Sequence, residues 1–300
     1  MAAENTHLYL ADQMKGKIGD KALKRIISDH VDYFYLGSIF PDILYYSRDK
    51  QISKVAYSLH GEDGVPTNEI VFQLLNTVKS KNDKKNFTFI AGFLTHYAVD
   101  ITFHPVILYI SGYKTDGNKQ EQDRSSYLHW HYEADINRQI NHQLQLDKTI
   151  KPELIQNLVL PGILGIGRSV IVKALKRQIR YFSILPGRGY YFIFKVLYNL
   201  GLYPAGAIAG FDHNLKKESL RLPDPIAYKD LFTGVPLQTT LNALIARAVQ
   251  RGCRMIETAY AYHIEEKSRD ECQEIIAGQS LVTGQVGKTT ADIRFSARLL

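Results

Sequence analysis

The residue types best suited to chemistry lie between His96 and His104, where two histidines and Asp100 recur at every fourth position. In an α-helix, residues spaced four apart fall within an arc of about 80° and share one face. The neighbouring residues are apolar, and a core helix avoids ionisable groups unless they are paired or bind a metal. The spacing therefore predicts a metal site on this helix.

A second set of potential ligands lies elsewhere in the first half of the chain. His129 and Glu133 are four residues apart and would share a helical face. His7, Asp42 and His60 each lie near a predicted helix end or loop. Zinc favours histidine nitrogen and carboxylate oxygen, so five histidines and three carboxylates suffice for more than one ion.

The elements that must position these residues are predicted to be helices. The chain has 300 residues, of which 45% are hydrophobic, and its apolar residues recur mainly with helical rather than alternating period. We expect an all-α, multi-helix bundle that forms a single domain over residues 1–300. Residues 151–211 would be an inserted helical segment, rich in basic and aromatic residues.

Glycines and prolines suggest where the helices end. Pro105 should end or kink the helix that carries the first three residues, and residues 37–41 should break another helix before Asp42. Residues 51–66 are predicted to form a loop. Helices are predicted over residues 6–14, 20–36, 67–79, 86–105, 123–146 and 236–266.

The net charge of +7 is concentrated in one segment. Residues 151–200 contain eight basic residues and one acidic residue, whereas basic and acidic residues are equal in number elsewhere. Three interpretations remain open for this segment. It could lie on an anionic membrane surface, follow a nucleic-acid backbone, or form core helices with a solvated basic face.

Several motifs in the first half of the chain resemble those of the zinc-dependent phospholipases C, relatives of the single-strand-specific zinc nucleases. The resemblance covers roughly residues 5–140. It rests on Thr6-His7, Phe40-Pro41-Asp42, His60-Gly61, Gly92-Phe93-Leu94-Thr95-His96-Tyr97-x-x-Asp100-x-x-x-His104-Pro105 and His129-x-x-x-Glu133.

The resemblance implies an all-α bundle around two to three zinc ions. By analogy, one zinc would be held by Asp42, His60, His96 and Asp100. A second would be held by His104, His129 and Glu133, and a third by His7 together with the bridging Asp100. Secreted members complete the third site with an N-terminal tryptophan, but the one tryptophan here is Trp130. If Met1 is removed, the amine of Ala2 could take that place.

The resemblance also implies hydrolysis of a phosphodiester, most simply in a phospholipid. Zinc would bind the phosphate oxygens and lower the pKa of a bound water. Asp42 would be both a ligand and the general base, and further carboxylates or carbonyls, with Asp135 and His131 as candidates, would orient the histidine ligands. The alternatives are a zinc-dependent nuclease or nucleotidase, and a non-catalytic binding module stabilised by metal.

Other sequence features argue against two further classes of enzyme and bear on where the protein resides. The chain has no His-Asp dipeptide, which argues against a histidine-aspartate phosphohydrolase, and no P-loop. The N-terminus lacks a basic and apolar leader, and Cys253 and Cys272 are interpreted as structural thiols in a reduced compartment. We expect a cytoplasmic protein that makes peripheral membrane contact through residues 151–211.

Overall fold

The computed structural model describes residues 4–79, 83–112, 119–140, 143–184, 187–203, 205–214 and 220–297. It confirms the predicted all-α class, since the described residues are mostly helical and their one sheet is a two-stranded antiparallel hairpin. The α-helices are α1 Glu4–Lys17, α2 Lys21–Asp29, α3 Val31–Ile43, α4 Lys50–Leu59, α5 Asn68–Lys79, α6 Lys84–Ser111, α7 Lys119–Ile140, α8 Leu146–Thr149, α9 Leu160–Ile163, α10 Arg168–Ile184, α11 Arg188–Asn199, α12 Ala205–Asn214, α13 Leu241–His263 and α14 Arg269–Gln273. The strands are β1 Ile226–Lys229 and β2 Pro236–Thr239, and short 3-10 turns span Leu44–Tyr46, Pro152–Asn157 and Thr290–Asp292.

Helix α6 lies at the centre of the bundle. It is 28 residues long and buried around almost its whole circumference, as expected for a helix that is apolar on every side. Asp83 caps its first turn by accepting a hydrogen bond from the amide of Asn86, and Gly112 ends it in the left-handed conformation. Helices α1, α3 and α13 pack against α6, so its polar residues face neighbouring helices rather than solvent.

Helices α3 and α6 cross in close contact at Gly37 and Gly92. A Cβ atom at Gly92 would overlap the backbone carbonyl of Phe34, and one at Gly37 would overlap that of Phe89. The two glycines therefore let the helix backbones approach each other without intervening side chains. This approach brings Asp42, near the end of α3, beside His96 on α6.

Two predicted boundaries in the first sixty residues are wrong. Helix α3 is not broken at residues 37–41 but runs through Pro41 to Ile43. Pro41 lies in the last turn, where the loss of one backbone donor interrupts little of the helix, and Gly37 packs tightly on α6. Residues 51–66 are not all loop either, because α4 extends to Leu59 and His60 is its C-cap.

The helix expected to end or kink at Pro105, or to run beyond it, does not end there, since α6 continues to Ser111. Proline cannot donate to the carbonyl four residues before it, which here is that of Ile101. Arg251 of α13 approaches that carbonyl oxygen with Nη1 at 3.4 Å and also donates to the hydroxyl of Thr102 at 3.1 Å. The tertiary contact thus supplies a donor near the position where the helix loses one.

Other predicted helices agree more closely with the structure. The helix expected over residues 6–14 is α1, that over 67–79 is α5, and that over 123–146 is α7, which ends at Ile140. The pattern over residues 20–36 is divided at His30 into α2 and α3. The helix expected over 236–266 begins only at Leu241, because residues 236–239 form β2.

The basic segment packs on the rest of the protein through α10 and through α12, which lies against α7. The buried residues of α10, Ile171, Ala174, Leu175 and Gln178, face the bundle, whereas Lys173, Lys176 and Arg180 are exposed. A separate small apolar cluster joins α11 and α12 to α10 around Tyr191 and Phe211. Among the described residues, no helix is long and apolar enough to cross a membrane. The single domain over residues 1–300 stays a prediction.

We predict that Gly92→Ala destabilises the protein by several kcal/mol, because the new methyl group would collide with backbone atoms of α3 rather than with adjustable side chains. Thermal unfolding measures the effect. Gly16→Ala, also within a helix, is the matched control: no atom lies within 4 Å of its Cβ position, and its stability should be unchanged or slightly raised. Equal melting temperatures for the two variants would contradict the close crossing.

Candidate metal centre

The eight residues proposed as metal ligands come from five helices. His7 lies on α1, Asp42 on α3, His60 at the end of α4, three residues on α6, and two on α7. Their ligand atoms form three groups, in each of which all atoms lie within 4.8 Å of one another. The groups are His7, His96 and Asp100; Asp42, His60 and His96; and His104, His129 and Glu133.

Asp100 connects these groups, because its carboxylate faces four imidazole rings. Its Oδ2 atom lies 3.0 Å from Nε2 of His96 and 3.8 Å from Nε2 of His60. Its Oδ1 atom lies 3.3 Å from Nε2 of His7 and 3.7 Å from Nε2 of His104. The two oxygens of one side chain therefore point to different sets of histidines.

Two further carboxylates each lie between a pair of histidines. Oδ1 of Asp42 is 3.2 Å from Nε2 of His60 and 3.8 Å from Nε2 of His96. Oε1 of Glu133 is 2.9 Å from Nε2 of His129 and 3.6 Å from that of His104. The carboxylates thus alternate with imidazoles throughout the cluster.

These spacings fit zinc. With bonds of about 2.0–2.2 Å in tetrahedral geometry, neighbouring ligand atoms are roughly 3.3–3.6 Å apart. Several of the atoms also lack a hydrogen-bond partner among the described residues, although they are fully buried. They include Nε2 of His7, His96 and His104, both oxygens of Asp100, and Oδ2 of Asp42. Buried polar atoms without such partners are costly, and a bound cation would satisfy them together.

Backbone carbonyls orient three of the histidines. Nδ1 of His96 lies 2.9 Å from the carbonyl oxygen of Ser38, and Nδ1 of His60 lies 2.7 Å from that of Ala56. Nδ1 of His104 lies 2.8 Å from the carbonyl oxygen of Leu281, which is 177 residues away along the chain. When Nδ1–H donates to a carbonyl, Nε2 keeps its lone pair for a metal.

Asp135, one of the two residues expected to orient the ligands, has other partners. The Asp135 carboxylate accepts hydrogen bonds from the amide of Leu222 and the side chain of Gln139. His131 is buried, and its ring stacks on that of Tyr127. The carbonyls that take this role have no sequence signature, because every residue type carries one.

The turn after His60 requires a glycine. Gly61 has a φ of +68°, which side-chain-bearing residues rarely adopt. A Cβ atom there would lie 2.9 Å from the side chain of Thr67 and 3.1 Å from the backbone of Ser280. The carbonyl of His60 accepts a hydrogen bond from the amide of Leu281 at 2.9 Å. The His60-Gly61 pair therefore fixes both the position of a proposed ligand and the segment around Leu281 beside it.

Opposite charges stabilise the ionised forms of His96, Asp100 and Asp42. Burial lowers the pKa of His96, but the charges of Asp100 and Asp42 outweigh this effect and raise it to about 9. Burial raises the pKa of Asp100, yet His104, His96 and His7 hold it well below its usual range. The pKa of Asp42 is lowered in the same way by His96 and His60, against the effect of burial. Both aspartates are therefore ionised at neutral pH.

Glu4 is a buried carboxyl group beside the cluster that the sequence patterns missed. It accepts hydrogen bonds from the hydroxyl of Tyr46 at 3.0 Å and from the amide of Gln178 at 2.9 Å. Burial, reinforced by the charge of Asp42, raises its pKa to about 8. Glu4 thus ties α1 to α10, and its spacing of three from His7 was the one available signal.

The cluster is accessible on the side of α7. The His129 side chain is 17% exposed, whereas the other seven side chains are at most 4% exposed. Trp130 follows His129 in the sequence. Tyr181 of α10 packs edge-on against the Trp130 ring, with ring centroids 6.4 Å apart. Tyr181 also contacts Tyr46, which lies four residues after Asp42 in the sequence. The basic segment therefore borders the partly exposed side of the cluster.

Residues 6–159, slightly more than half of the chain, match the family model described as zinc dependent phospholipase C. The chain belongs to this family of zinc-dependent hydrolases. Comparison with curated proteins gives no match. Comparison with solved structures gives none either. The matched range contains all eight residues proposed as ligands, whereas Leu281 and helices α10 and α11 lie outside it. The alternative ligand Ala2 lies outside the described residues.

We predict that Asp100→Asn lowers the zinc content of the purified protein by more than one ion per chain, because this carboxylate faces both sides of the cluster. Elemental analysis after gel filtration measures the loss. His30→Gln, which changes a histidine outside the three groups, should retain the wild-type content. A full zinc complement in Asp100→Asn would exclude a bridging role for Asp100.

We also predict that zinc affinity falls as the pH is lowered. A proton and a metal ion compete for Nε2 of His96, whose pKa is raised to about 9, so this histidine alone should weaken binding about ten-fold per pH unit below that value. Competition with a chelator of known proton affinity, between about pH 6 and pH 8, measures the slope. An affinity independent of pH over this range would contradict a ligand role for His96.

Proposed function

We propose that the eight residues hold the zinc ions of a phosphodiester hydrolase. Asp42, His60, His96 and Asp100 would hold one ion, His104, His129 and Glu133 a second, and His7 with Asp100 a third. The observation that carries the proposal is the Asp100 carboxylate, with four imidazole Nε2 atoms within 3.8 Å of its two oxygens. A carboxylate in a structural ion pair needs one charged partner. Four surrounding imidazoles are instead typical of a carboxylate that bridges metal ions.

The number of ions remains part of the proposal. His7 has no hydrogen-bond partner for either ring nitrogen among the described residues, and its ring stacks on that of His96 at a centroid distance of 4.0 Å. This arrangement supports a ligand role for His7, with Asp100 as its nearest carboxylate. Two protein ligands alone make an open site, which small ligands such as water would complete.

The proposed reaction is hydrolysis of a phosphodiester by water. Bound zinc would supply positive charge for the phosphate oxygens and acidify the attacking water. Asp42 is ionised at neutral pH and retains one oxygen, Oδ2, without a hydrogen-bond partner among the described residues. That oxygen can orient the attacking water and accept its proton. The hydroxyl of that water would bond to phosphorus as the ester bond on the opposite side breaks, and the departing alkoxide would take up a proton from solvent.

The proposed substrate is a phospholipid, as the family description suggests. The aromatic rings of Trp130, Tyr181 and Tyr46 lie beside the accessible side of the cluster, where they could contact the apolar part of a lipid next to its phosphate. A nucleic acid would present the same phosphodiester chemistry, so substrate assays must include both classes. A non-catalytic binding module would bind zinc but hydrolyse neither.

We predict that Asp42→Asn lowers zinc-dependent hydrolysis of a short-chain phosphatidylcholine by about 100-fold or more, because the amide cannot accept the proton of water. Release of the phosphorylated head group measures the rate, with single-stranded DNA as a parallel substrate. Asp32→Asn is the matched control: it makes the same change on the same helix, at an exposed ion pair with Lys151.

The outcomes of this assay separate the three candidate functions. Hydrolysis of the lipid, abolished by chelator and restored by zinc, supports the phospholipase proposal. Cleavage of DNA alone would replace it with a nuclease. Unchanged turnover in Asp42→Asn would remove Asp42 from the reaction, and absence of any turnover by the zinc-loaded wild type would favour the binding module.

A further inference from the structure

Helix α11 exposes a stripe of apolar side chains, although the protein has a large hydrophobic core elsewhere. Phe192, Val196 and Leu200 are spaced four apart, and Ile193 lies beside them, so the four occupy an arc of about 100°. These side chains and that of Leu202 are 42–71% exposed. We call these five residues the α11 stripe. Clustered exposed apolar residues of this size mark a surface that contacts something other than water.

The stripe is held in place rather than loosely attached. On the other side of α11, Tyr191 and Phe194 pack against Phe211 of α12, with ring centroids 6.2 and 5.4 Å apart. Helix α12 in turn packs against α7, which carries His129 and Glu133. The exposed side of α11 is therefore the outward side of a helix whose inner side is already packed.

The sequence on either side of the stripe carries charge of one sign. From residue 154 to residue 211 the sequence contains seven basic residues and no acidic residue. Arg188 and Lys195 of α11 are exposed, and the exposed residues Lys173, Lys176 and Arg180 lie on the preceding helix at spacings that place them on one face. An apolar stripe with basic neighbours suits a surface that is apolar inside and negatively charged outside.

The surface is connected to the candidate metal centre through residues that lie beside its proposed ligands. Gln178 of α10 donates to the buried carboxyl group of Glu4, and Arg177 donates to the carbonyl of Tyr46 at 3.2 Å. Tyr181, one turn farther along α10, contacts Trp130 beside His129. Residues 168–211 thus rest against the accessible side of the cluster through α10 and present α11 outward.

We propose that the α11 stripe and the exposed basic residues of α10 dock the protein on the surface of an anionic phospholipid bilayer. The inference deepens the proposed function, on which it rests for the choice of a lipid rather than another anionic partner. In the docked protein, Phe192 and its apolar neighbours enter the acyl boundary, and the lysines and arginines contact lipid phosphates. The nearby metal centre then faces a surface dense in phosphodiesters.

The test is flotation of the zinc-loaded protein, kept on ice, with vesicles of phosphatidylcholine that contain or lack phosphatidylserine. We expect binding that is stronger with phosphatidylserine and weakens with added salt. The double variant Phe192→Ser/Val196→Ser should bind at least ten-fold more weakly, because it removes two apolar side chains of the stripe, including its most exposed one, Phe192. Val235→Ser/Val286→Ser, at two equally exposed valines outside α11, is the matched control and should bind as the wild type does.

Hydrolysis of a monomeric short-chain lipid by the same variants keeps the two proposals distinguishable. Unchanged turnover in Phe192→Ser/Val196→Ser together with lost vesicle binding supports the docking surface. Wild-type protein that hydrolyses the monomer but binds no vesicle overturns the docking surface and leaves the enzyme proposal intact. Vesicle binding without any turnover, still weakened by the double variant, supports the surface and removes the enzyme.

Three further results would overturn the docking proposal. The first is a double variant that binds vesicles as strongly as the wild type. The second is a lipid-free dimer that dissociates in the double variant, which would assign the stripe to a second copy of the chain. The third is binding of a single-stranded oligonucleotide that the double variant weakens while vesicles do not compete.

Discussion

The structure depends on one electrostatic constraint: the Asp100 carboxylate is fully buried among four imidazole rings. A buried charge is strongly unfavourable unless other charges or a metal ion offset the loss of hydration. Here the imidazoles that offset this loss come from α1, α4 and α6 and meet at one carboxylate. The packing of these helices is therefore coupled to the charge of Asp100. The tight crossing of α3 and α6 at Gly37 and Gly92 follows the same constraint, because it brings Asp42 to the same place.

Much of the site could be predicted from the sequence because its ligands come in short, regular spacings. A helix brings residues four apart onto one face, so the sets from His96 to His104 and from His129 to Glu133 predict shared faces without knowledge of the tertiary structure. His7, Asp42 and His60 could be assigned to the site only through the family resemblance, since no short spacing relates them to the ligands of α6. The structure brings all of them together, in groups that share His96.

The errors and omissions have a common physical origin in tertiary contacts. Pro105 does not end α6 because the helix lies in the core and Arg251 of α13 approaches the carbonyl that proline leaves without a donor. The carbonyls of Ser38, Ala56 and Leu281 orient the imidazoles, but backbone groups leave no mark on a sequence. Glu4 escaped notice because its partners, Tyr46 and Gln178, are distant along the chain. Residues 168–184 have the form expected for a core helix with a solvated basic face, since α10 has a buried apolar side and an exposed basic side.

The carbonyl of Leu281 has a consequence for the order in which the protein matures. It fixes the imidazole of His104 from 177 residues away, and the same residue's amide bonds to the carbonyl of His60. During synthesis the eight ligand side chains are made by residue 133, and Leu281 is made 148 residues later. The imidazole of His104 therefore reaches its final orientation only after Leu281 has been made and packed. Until then this imidazole can rotate, whereas those of His60 and His96 already have the carbonyls of Ala56 and Ser38 beside them.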